Sequence, residues 1–399
     1  SPKLTFFGAK PKTREITKLV GFKKFKFCFT FLNQTIFAYM FLKQLTLTHY
    51  KNIEASQFDF QASINCLIGN NGIGKSNILD SIYHLAFTKS YFNPSGVQNI
   101  QFGKDFFLIE GKFNKDGKEE KINCSLKKGQ KKTVKRNGKV YDKAAEHIGL
   151  IPLVIISPAD RNLIIEGSST RRKFIDGVIG QTDKTYLKKL SNYNKILAQR
   201  NALLKFFAQN RTFDQETLGI YNHQMSELAQ PIYEKRKAFM EVFIPIFAER
   251  HLSISKGSEK VEIQYASDLF ENKMSDILDH NLEKDKILQF TSVGIHKDDL
   301  DLLISGMPIK KFGSQGQQKT LLIALKLAQF DFIKEKSGIN PIVLLDDIFD
   351  KLDQDRVTQT IKLFENESLG QIFISDTHED RILAALKMSS STYEIFNLS

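Results

Sequence analysis

Strand-like alternation of apolar and polar positions is the first regular pattern in the chain. It runs from Leu42 to Phe60, and Ser63 to Ile68 is a short, mostly apolar run that leads into a glycine-rich loop. Apolar residues then recur at helical spacing, which predicts a helix from Lys75 to about Phe87. The first part of the folded chain is therefore expected to be mixed α/β.

The same mixed character returns further along the chain. Strand patterns cover Phe106 to Phe113 and Lys121 to Leu126, and Asn137-Gly138 between two basic stretches is a strong hairpin-turn signal. Buried strands are predicted at Ile342 to Leu345 and at Gln371 to Ser375. Both ends of the chain thus contribute strands, which suits an α/β domain that is interrupted in its middle.

The middle of the chain is patterned as two helices that pack on each other. Apolar residues repeat there at intervals of three, four and seven, the spacing of a coiled-coil seam. The first seam is Tyr186, Leu190, Tyr193, Leu197 and Leu204, and the second is Leu218, Tyr221, Met225, Leu228, Ile232 and Phe239. Because residues 211–214 lie between the two seams, we predict an antiparallel helical hairpin that forms a short arm.

The chain carries a moderate positive charge. The 399 residues are 41% hydrophobic, enough for real cores, and the formal charge of +12 favours nucleic acid or another anionic partner. Residues 1–39 alone hold eight basic residues and one acid, so an argument for DNA binding has to rest on local clusters. Since Met40 opens the first strand pattern, we expect residues 1–39 to be an upstream extension outside the folded protein; a functional basic arm is the alternative.

The cysteines and the apolar stretches indicate a cytoplasmic protein. Cys28, Cys66 and Cys124 are far apart with no Cys-x-x-Cys pair, so neither a disulfide framework nor a zinc site is expected. The most apolar early stretch, Cys28 to Leu42, is interrupted by polar residues and is shorter than the roughly 20 residues that span a bilayer. A reducing cytosol is the compartment that fits.

A phosphate-binding loop is the strongest chemical signal. Its residues are Gly69, Asn70, Asn71, Gly72, Ile73, Gly74, Lys75 and Ser76, which fit G-x-x-x-x-G-K-[ST] between a predicted strand and a predicted helix. Glycines let successive backbone N–H groups surround an oxyanion, Lys75 would reach the β- and γ-phosphates, and Ser76 would ligate Mg²⁺. The alternative is a chance glycine-rich turn, which the matching context disfavours.

Two carboxylates follow the apolar run at residues 342–345. A buried strand tolerates acids at its end when they serve a cation or a polar site. Asp346 is the candidate Mg²⁺ ligand, and Asp347 is the candidate that orients or deprotonates the attacking water. An acid that merely caps the next helix is the alternative, and the phosphate-binding loop makes it less favourable.

A second anion site is predicted at the start of a later helix. Its residues are Ser314, Gln315, Gly316 and Gln317. A serine N-cap followed by glycine at a helix N-terminus suits an anion, although an ordinary capped helix has the same pattern. Since one nucleotide does not need two such sites in one pocket, the economical interpretation is that this site addresses a nucleotide held by another subunit.

The order of these motifs resembles an ABC-type ATPase head of the SMC kind. In that resemblance, residues 69–76 are the Walker A motif, residues 314–317 the signature, and the strand ending at Asp346 Walker B. The implied fold is α/β, a P-loop head with a mixed sheet and flanking helices that is split by an inserted helical arm.

Two further positions follow from the same resemblance. Asp350 to Asp353 falls where such heads have their D-loop, with Lys351 in place of a usually acidic residue. His378 falls where a switch histidine with a catalytic role is common. A solvated loop histidine is an equal alternative.

A closer resemblance is to the RecF family of bacterial recombination mediators. The segments that carry it are Leu45 to Asn52, Ser157 to Asp160, Leu163 to Asp176, and Gly294 to Asp299 ahead of the signature. It covers about residues 40–399. It implies a head formed by residues 40–166 and 289–399, with the helical arm as residues 167–288.

What the resemblance implies is an ATP-driven clamp. In such a clamp ATP and Mg²⁺ bind the Walker A loop. Lys51 and Asn77 are also expected to bind the nucleotide. A head-to-tail homodimer closes on duplex DNA next to single-stranded gaps, and slow, DNA-stimulated hydrolysis releases it. Family members act with RecR and RecO to support RecA loading and the SOS response.

A basic cluster around the Asn137-Gly138 turn is the candidate DNA contact. Its residues are Lys127, Lys128, Lys131, Lys132, Lys135, Arg136 and Lys139. No aromatic residues are interleaved, so we expect phosphate contact without base reading, with a merely solvated hairpin as the alternative. Arg171 and Arg172 fit either a phosphate or an intramolecular carboxylate.

Two other classes of function fit the sequence less well. An energy-coupling ATPase of a membrane transporter needs a surface for a coupling helix and would not carry a heptad-patterned arm. A structural SMC-like DNA tether needs a far longer arm than these few heptads provide.

Overall fold

The computed structural model describes residues 40–93, 95–255, 257, 259–348, 370–386 and 391–398. The predicted extension at residues 1–39 and the predicted D-loop at Asp350 to Asp353, with Lys351, lie outside the described residues. In the described part, no helix is long and apolar enough to cross a membrane.

The strands alternate with helices at both ends of the described chain. The strands are β1 (Met40–Tyr50), β2 (Ile53–Asp59), β3 (Ile64–Ile68), β4 (Phe106–Lys115), β5 (Lys118–Lys127), β6 (Thr133–Arg136), β7 (Lys139–Val140), β8 (Leu153–Ile156), β9 (Val261–Ala266), β10 (Asp299–Ile304), β11 (Met307–Pro308), β12 (Ile342–Asp346), β13 (Ile372–Asp376) and β14 (Tyr393–Asn397). The α-helices are α1 (Lys75–Phe87), α2 (Asn162–Ile165), α3 (Ser168–Thr182), α4 (Lys184–Asn210), α5 (Gln215–Ser255), α6 (Met274–His280), α7 (Leu282–Leu288), α8 (Ile309–Phe312), α9 (Gln315–Ser337) and α10 (Glu379–Leu386). Short 3-10 turns are Val97–Asn99, Ala144–Glu146, Pro158–Arg161 and Ile295–Lys297.

A parallel sheet in the order β14-β3-β13-β12-β8 forms the centre of the head. Every residue of β3, β13, β12 and β8 is buried, as expected of a parallel sheet that is covered on both faces. Leu344 packs on one face with α1 and the antiparallel sheet, and Val343 and Leu345 pack on the other with α3, α5 and α9. The head is therefore layered around this sheet.

Two antiparallel sheets complete the described fold. One has the order β2-β1-β4-β5-β6-β7, and the other has the order β11-β10-β9. Asn137 and Gly138 both have positive φ angles, 49° and 82°, in the turn between β6 and β7, so the predicted hairpin turn is confirmed. Parallel and antiparallel strands thus lie in separate sheets of one α/β head.

The predicted helical hairpin is present as α4 and α5. These helices of 27 and 41 residues are joined by residues 211–214, and the Tyr193 and Met225 side chains of the two seams are fully buried. Buried Arg236 of α5 ties the hairpin to the head, because it pairs with Asp176 of α3 at 2.9 Å and with Asp298 at 2.6 Å. Buried ion pairs therefore hold the arm where it joins the head.

Candidate nucleotide-binding site and basic surface

The predicted phosphate-binding loop lies between β3 and α1. Gly72 and Gly74 adopt φ angles of 83° and 117°, which only glycine takes without strain. A Cβ atom at Gly74 would also come within 3.1 Å of Asn52 Oδ1. The strand, loop and helix predicted from the motif are thus confirmed.

Lys75 reaches back across this loop. Its ammonium donates to the carbonyl oxygens of Gly69 at 2.6 Å and Asn70 at 2.9 Å, and the side chain is buried. The positive charge is therefore held at the concave side of the loop, where phosphate oxygens would compete with these carbonyls for it.

Asp346 lies at the carboxyl end of β12 and faces the loop. Its Oδ1 accepts hydrogen bonds from Ser76 Oγ at 2.8 Å and Ser375 Oγ at 2.7 Å. Burial raises the pKa of the Asp346 carboxyl, and these two hydrogen bonds act in the opposite direction. The structure therefore brings together Ser76 and Asp346, the two residues predicted as Mg²⁺ ligands.

Asp347 follows in a left-handed conformation with φ of 48°. Its amide donates to Ser375 Oγ at 3.0 Å, which holds the residue in that conformation. Aspartate and asparagine tolerate this region better than longer side chains do. The backbone thus offers a physical reason for a short side chain at this position.

Asn52 supports the loop and was missed as a site residue. Its Nδ2 donates to the Gly72 carbonyl at 3.1 Å, and its Oδ1 accepts from Asn77 Nδ2 at 2.7 Å. Asn77, predicted to bind nucleotide, is therefore engaged with Asn52. A polar residue directly after the first strand was the available signal.

Lys51 is paired at the side of α1. Its ammonium lies 2.6 Å from Asp80 Oδ2, and the fully buried Asp80 also accepts from the Tyr50 and Ser90 hydroxyls. Its predicted contact with nucleotide stays a prediction.

The predicted signature residues form the start of α9. Ser314 Oγ accepts from the Gln317 amide at 3.2 Å, and the Ser314 amide donates to Gln317 Oε1 at 2.8 Å, a capping box. Ser314, Gln315 and Gly316 are exposed. Gln315 and Gly316 line a cavity of about 490 Å³ together with Asp347, so this turn and the second carboxylate of one chain face the same space.

His378 lies just after β13 and is exposed. Its amide donates to Asp376 Oδ1 at 2.8 Å, and Arg381 pairs with the same carboxylate at 2.5 Å. The backbone at His378 is thus anchored, while a switch role for its imidazole remains a prediction.

The basic cluster divides between the two ends of β6. Lys127, Lys128, Lys131 and Lys132 lie at one end, and Lys135, Arg136 and Lys139 lie towards the Asn137-Gly138 turn. The Arg136 guanidinium forms two hydrogen bonds to Glu120, at 2.8 and 2.5 Å, and the Lys132 ammonium donates to the Thr88 carbonyl. The cluster is therefore not a single patch around one turn, and Arg136 is largely committed to an internal partner.

Arg171 and Arg172, left open by the sequence, also have internal partners. Arg171 donates to both Asp299 oxygens, at 2.6 and 2.8 Å, and Arg172 donates to the Asp298 carbonyl at 2.6 Å. The structure therefore assigns Arg171 to an intramolecular carboxylate.

Comparison with known proteins gives one consistent family. The family model described as RecF/RecN/SMC N terminal domain matches residues 41–397. The DNA replication and repair protein RecF of Flavobacterium johnsoniae is 58% identical over 359 residues, which is 90% of this chain and 100% of that protein. The corresponding protein of Bacteroides thetaiotaomicron is 46% identical over 360 residues, which is 90% of this chain and 97% of that protein.

Solved structures agree with the fold. A structure of the recombination mediator protein RecF with ATP, in the RecFOR pathway, matches with a TM-score of 0.81 and 30% identity over 86% of this chain and 93% of that chain. An Smc head domain derived from Pyrococcus furiosus matches with a TM-score of 0.52 and 16% identity over 90% of this chain and 94% of that chain, which supports the fold alone. The predicted ABC-type head with an inserted arm is confirmed.

Proposed function

The chain belongs to the RecF family of DNA replication and repair proteins, and on that premise we propose that it is an ATP-driven clamp on DNA. ATP would bind residues 69–76, and two chains would form a homodimer around the nucleotides. Hydrolysis would then weaken the dimer and release the DNA, so that catalysis times a binding switch.

The observation that carries the nucleotide part is the contact between Walker A and Walker B. Ser76 on α1 and Asp346 on β12 meet at 2.8 Å, and Lys75 holds its charge against the same loop. This arrangement suits a nucleoside triphosphate, because backbone amides, a lysine and a cation site converge on one concave loop.

The same donors fit magnesium. Ser76 Oγ and Asp346 Oδ1 are oxygen ligands of the kind that Mg²⁺ takes, and the pKa of Asp346 is raised by burial, so a neighbouring cation would favour its charged form. When bound, the ion neutralises charge on the phosphates. We propose that Asp347 orients the attacking water and that its short side chain suits slow turnover.

The dimer part of the proposal rests on the exposed signature turn. Ser314, Gln315 and Gly316 present a helix start to the surface, where a triphosphate on a second chain would be accessible to it. The head-to-tail arrangement follows if each nucleotide uses Walker A of one chain and the signature of the other.

The DNA part of the proposal rests on family and charge. RecF relatives are named as replication and repair proteins, and a solved RecF structure is assigned to the RecFOR pathway. We propose that exposed lysines such as Lys127 and Lys131 meet phosphates of duplex DNA beside single-stranded gaps, that DNA stimulates hydrolysis, and that RecR and RecO are the partners in RecA loading and the SOS response.

A trapped dimer tests the proposal. Asp347→Asn keeps the side-chain shape and tolerates the left-handed backbone, so the fold should persist while hydrolysis stops. With ATP and Mg²⁺, light scattering should show this variant as a dimer. A DNA-binding titration under the same conditions should show increased affinity for duplex DNA. Lys75→Met is the matched control and should remain monomeric. If Asp347→Asn stays monomeric at saturating ATP, the clamp proposal is wrong.

A further inference from the structure

Phe102 lies fully exposed, at 101% of its reference area, on the tip of a tight turn. The Gln101 carbonyl accepts from the Lys104 amide at 3.0 Å, and Gly103 takes the positive φ of 80° that the third position of a type II turn requires. Phe102 therefore occupies the second position of the turn, with its ring directed away from the protein core.

The turn is fixed to the sheet below it. The Gln101 amide donates to the His49 carbonyl at 2.9 Å, and the Lys51 amide donates to the Asn99 carbonyl at 2.9 Å. The nearby Phe106, itself 40% exposed, packs edge-on against the His49 ring at 4.9 Å. An aromatic group presented on a fixed turn loses little conformational freedom when it binds a ligand.

Lysines lie at the same end of the sheet as this turn, because β4 begins at Phe106 and β5 ends at Lys127. Phe106 is directly opposite Lys127 in the β4–β5 ladder, and the Lys128 amide donates to the Asp105 carbonyl at 2.9 Å. Among the described residues, the ammonium groups of Lys127 and Lys131 have no acidic partner. The fold thus brings aromatic side chains to the lysines, although none is interleaved with them in the sequence.

An exposed aromatic ring beside unpaired lysines has the chemistry of a single-strand binding surface. Every base has a π-face that can stack on a ring, and the lysines can follow the phosphates. A blunt duplex keeps its bases stacked on each other and offers the ring little. A protein-binding patch would be expected to be broadly apolar, whereas Phe102 is followed in the chain by Gly103, Lys104 and Asp105.

We propose that Phe102 stacks on an unpaired base of single-stranded nucleic acid whose phosphates lie along Lys127 and Lys131. The inference rests on the proposed DNA-binding function and adds base stacking to the phosphate contacts expected from sequence. It places the single-stranded side of a gap at the turn formed by residues 101–104.

Binding of labelled DNA tests this surface. Phe102→Ala should weaken binding to a single-stranded oligonucleotide roughly five- to 100-fold, the range for one lost aromatic–base stack, and leave blunt-duplex binding within about twofold. Phe102→Trp should retain single-strand binding. Phe206→Ala is the matched control, because Phe206 is also exposed, at 54%, but lies on the arm helix α4. A 2-aminopurine base in the strand should be quenched by the wild type and not by Phe102→Ala.

Salt dependence separates stacking from charge. Phe102→Ala should keep the wild-type slope of affinity against salt, whereas Lys127→Ala and Lys131→Ala should each reduce that slope by about 0.7 for a single strand. An unchanged single-strand affinity in Phe102→Ala overturns the proposal, and so does an equal loss on both DNAs. The clamp proposal fails separately, if the wild type does not bind duplex DNA with ATP.

Discussion

Ser76 Oγ donates a hydrogen bond of 2.8 Å to Asp346 Oδ1, although the two residues are 270 positions apart in the chain. The same oxygen accepts from Ser375, so a buried carboxylate is held between two hydroxyls at the carboxyl end of β12. Hydroxyl and carboxylate oxygens are two of the ligands that a hard cation takes. The contact joins the two halves of the head that the arm separates.

Asp346→Asn should separate cation binding from folding. The amide keeps the shape and can accept from Ser76, but it lacks the charge that a cation needs. We expect Mg²⁺-dependent ATP hydrolysis to fall on the order of 100-fold, while the free energy of unfolding stays the same or rises, because a buried charge is removed. Hydrolysis at several Mg²⁺ concentrations and urea unfolding measure the two effects.

Ser375→Ala is the control for this prediction. It removes the hydrogen bond that Ser375 donates to Asp346 and the one that it accepts from the Asp347 amide, but it keeps both carboxylates. It should therefore lower stability more than it changes Mg²⁺ affinity. A wild-type Mg²⁺ dependence in Asp346→Asn would contradict the assignment of Asp346.

Asn52 is predicted to shape the phosphate-binding loop without touching the reaction. Asn52→Ala removes its bond to the Gly72 carbonyl and its bond from Asn77, so the loop loses two supports. We expect ATP affinity to fall by about 5- to 10-fold, with a smaller change in turnover, from the loss of roughly 1 kcal/mol of loop support. Asn77→Ala removes one bond only and should have the smaller effect; equal ATP affinity in wild type and Asn52→Ala would refute this role.

The free energy of unfolding should depend on pH through His296, which lies against Tyr193 of the arm helix α4. Its ring bonds to the Tyr193 hydroxyl and to the Thr291 carbonyl, and burial lowers its pKa from 6.5 to about 4. Between these values the unfolded chain binds a proton that the folded chain does not, so the free energy of unfolding falls as the pH falls from 6.5 to 4. We expect a loss of about 3 kcal/mol from this group.

Urea unfolding at pH 7, 5.5 and 4 should reveal this dependence, and His296→Gln should flatten part of it. Buried His84, with a pKa lowered to about 3, adds a similar dependence that His296→Gln leaves in place. If the free energy of unfolding changes equally with pH in the wild type and in His296→Gln, His296 is not held neutral in the folded protein.

Local patterns were the predictable part of the fold. The helix over Lys75–Phe87 has the predicted bounds, because the glycine loop and the spacing of its apolar residues are both local signals. The hairpin of α4 and α5 followed from its apolar seams for the same reason. The strand predicted at Ile342 to Leu345 extends one residue further, to Asp346, in the structure, and the strand predicted at Gln371 to Ser375 is shifted by one residue, to Ile372–Asp376.

Contacts between distant segments were not predictable from one sequence. Asn52 reaches the Walker A loop, and Arg171 pairs with Asp299, only because tertiary packing brings these segments together. The same applies to Phe102 and the lysines at the end of β5, which lie at the same end of the sheet but belong to different turns. A charge cluster counted along the chain also failed to show that Arg136 is paired with Glu120.

The signature turn raises a question of cis or trans action. Gln315 and Gly316 line a cavity together with Asp347 of their own chain, whereas the proposed clamp assigns them to the nucleotide of a second chain. Mixing two inactive variants distinguishes these arrangements. Lys75→Met disables one Walker A loop, and Ser314→Arg disables one signature by placing a bulky side chain at the start of α9.

In the trans arrangement, a mixed dimer of these variants contains one site with an intact Walker A from one chain and an intact signature from the other. Mixing equal amounts should therefore restore ATP hydrolysis to between about one quarter of the wild-type rate, when pairing is random, and about one half, when only mixed dimers form. In a cis arrangement every site keeps one defect, and mixing restores nothing. Recovery on mixing, absent from each variant alone, would establish the shared site, and continued inactivity at concentrations where the wild type dimerises would exclude it.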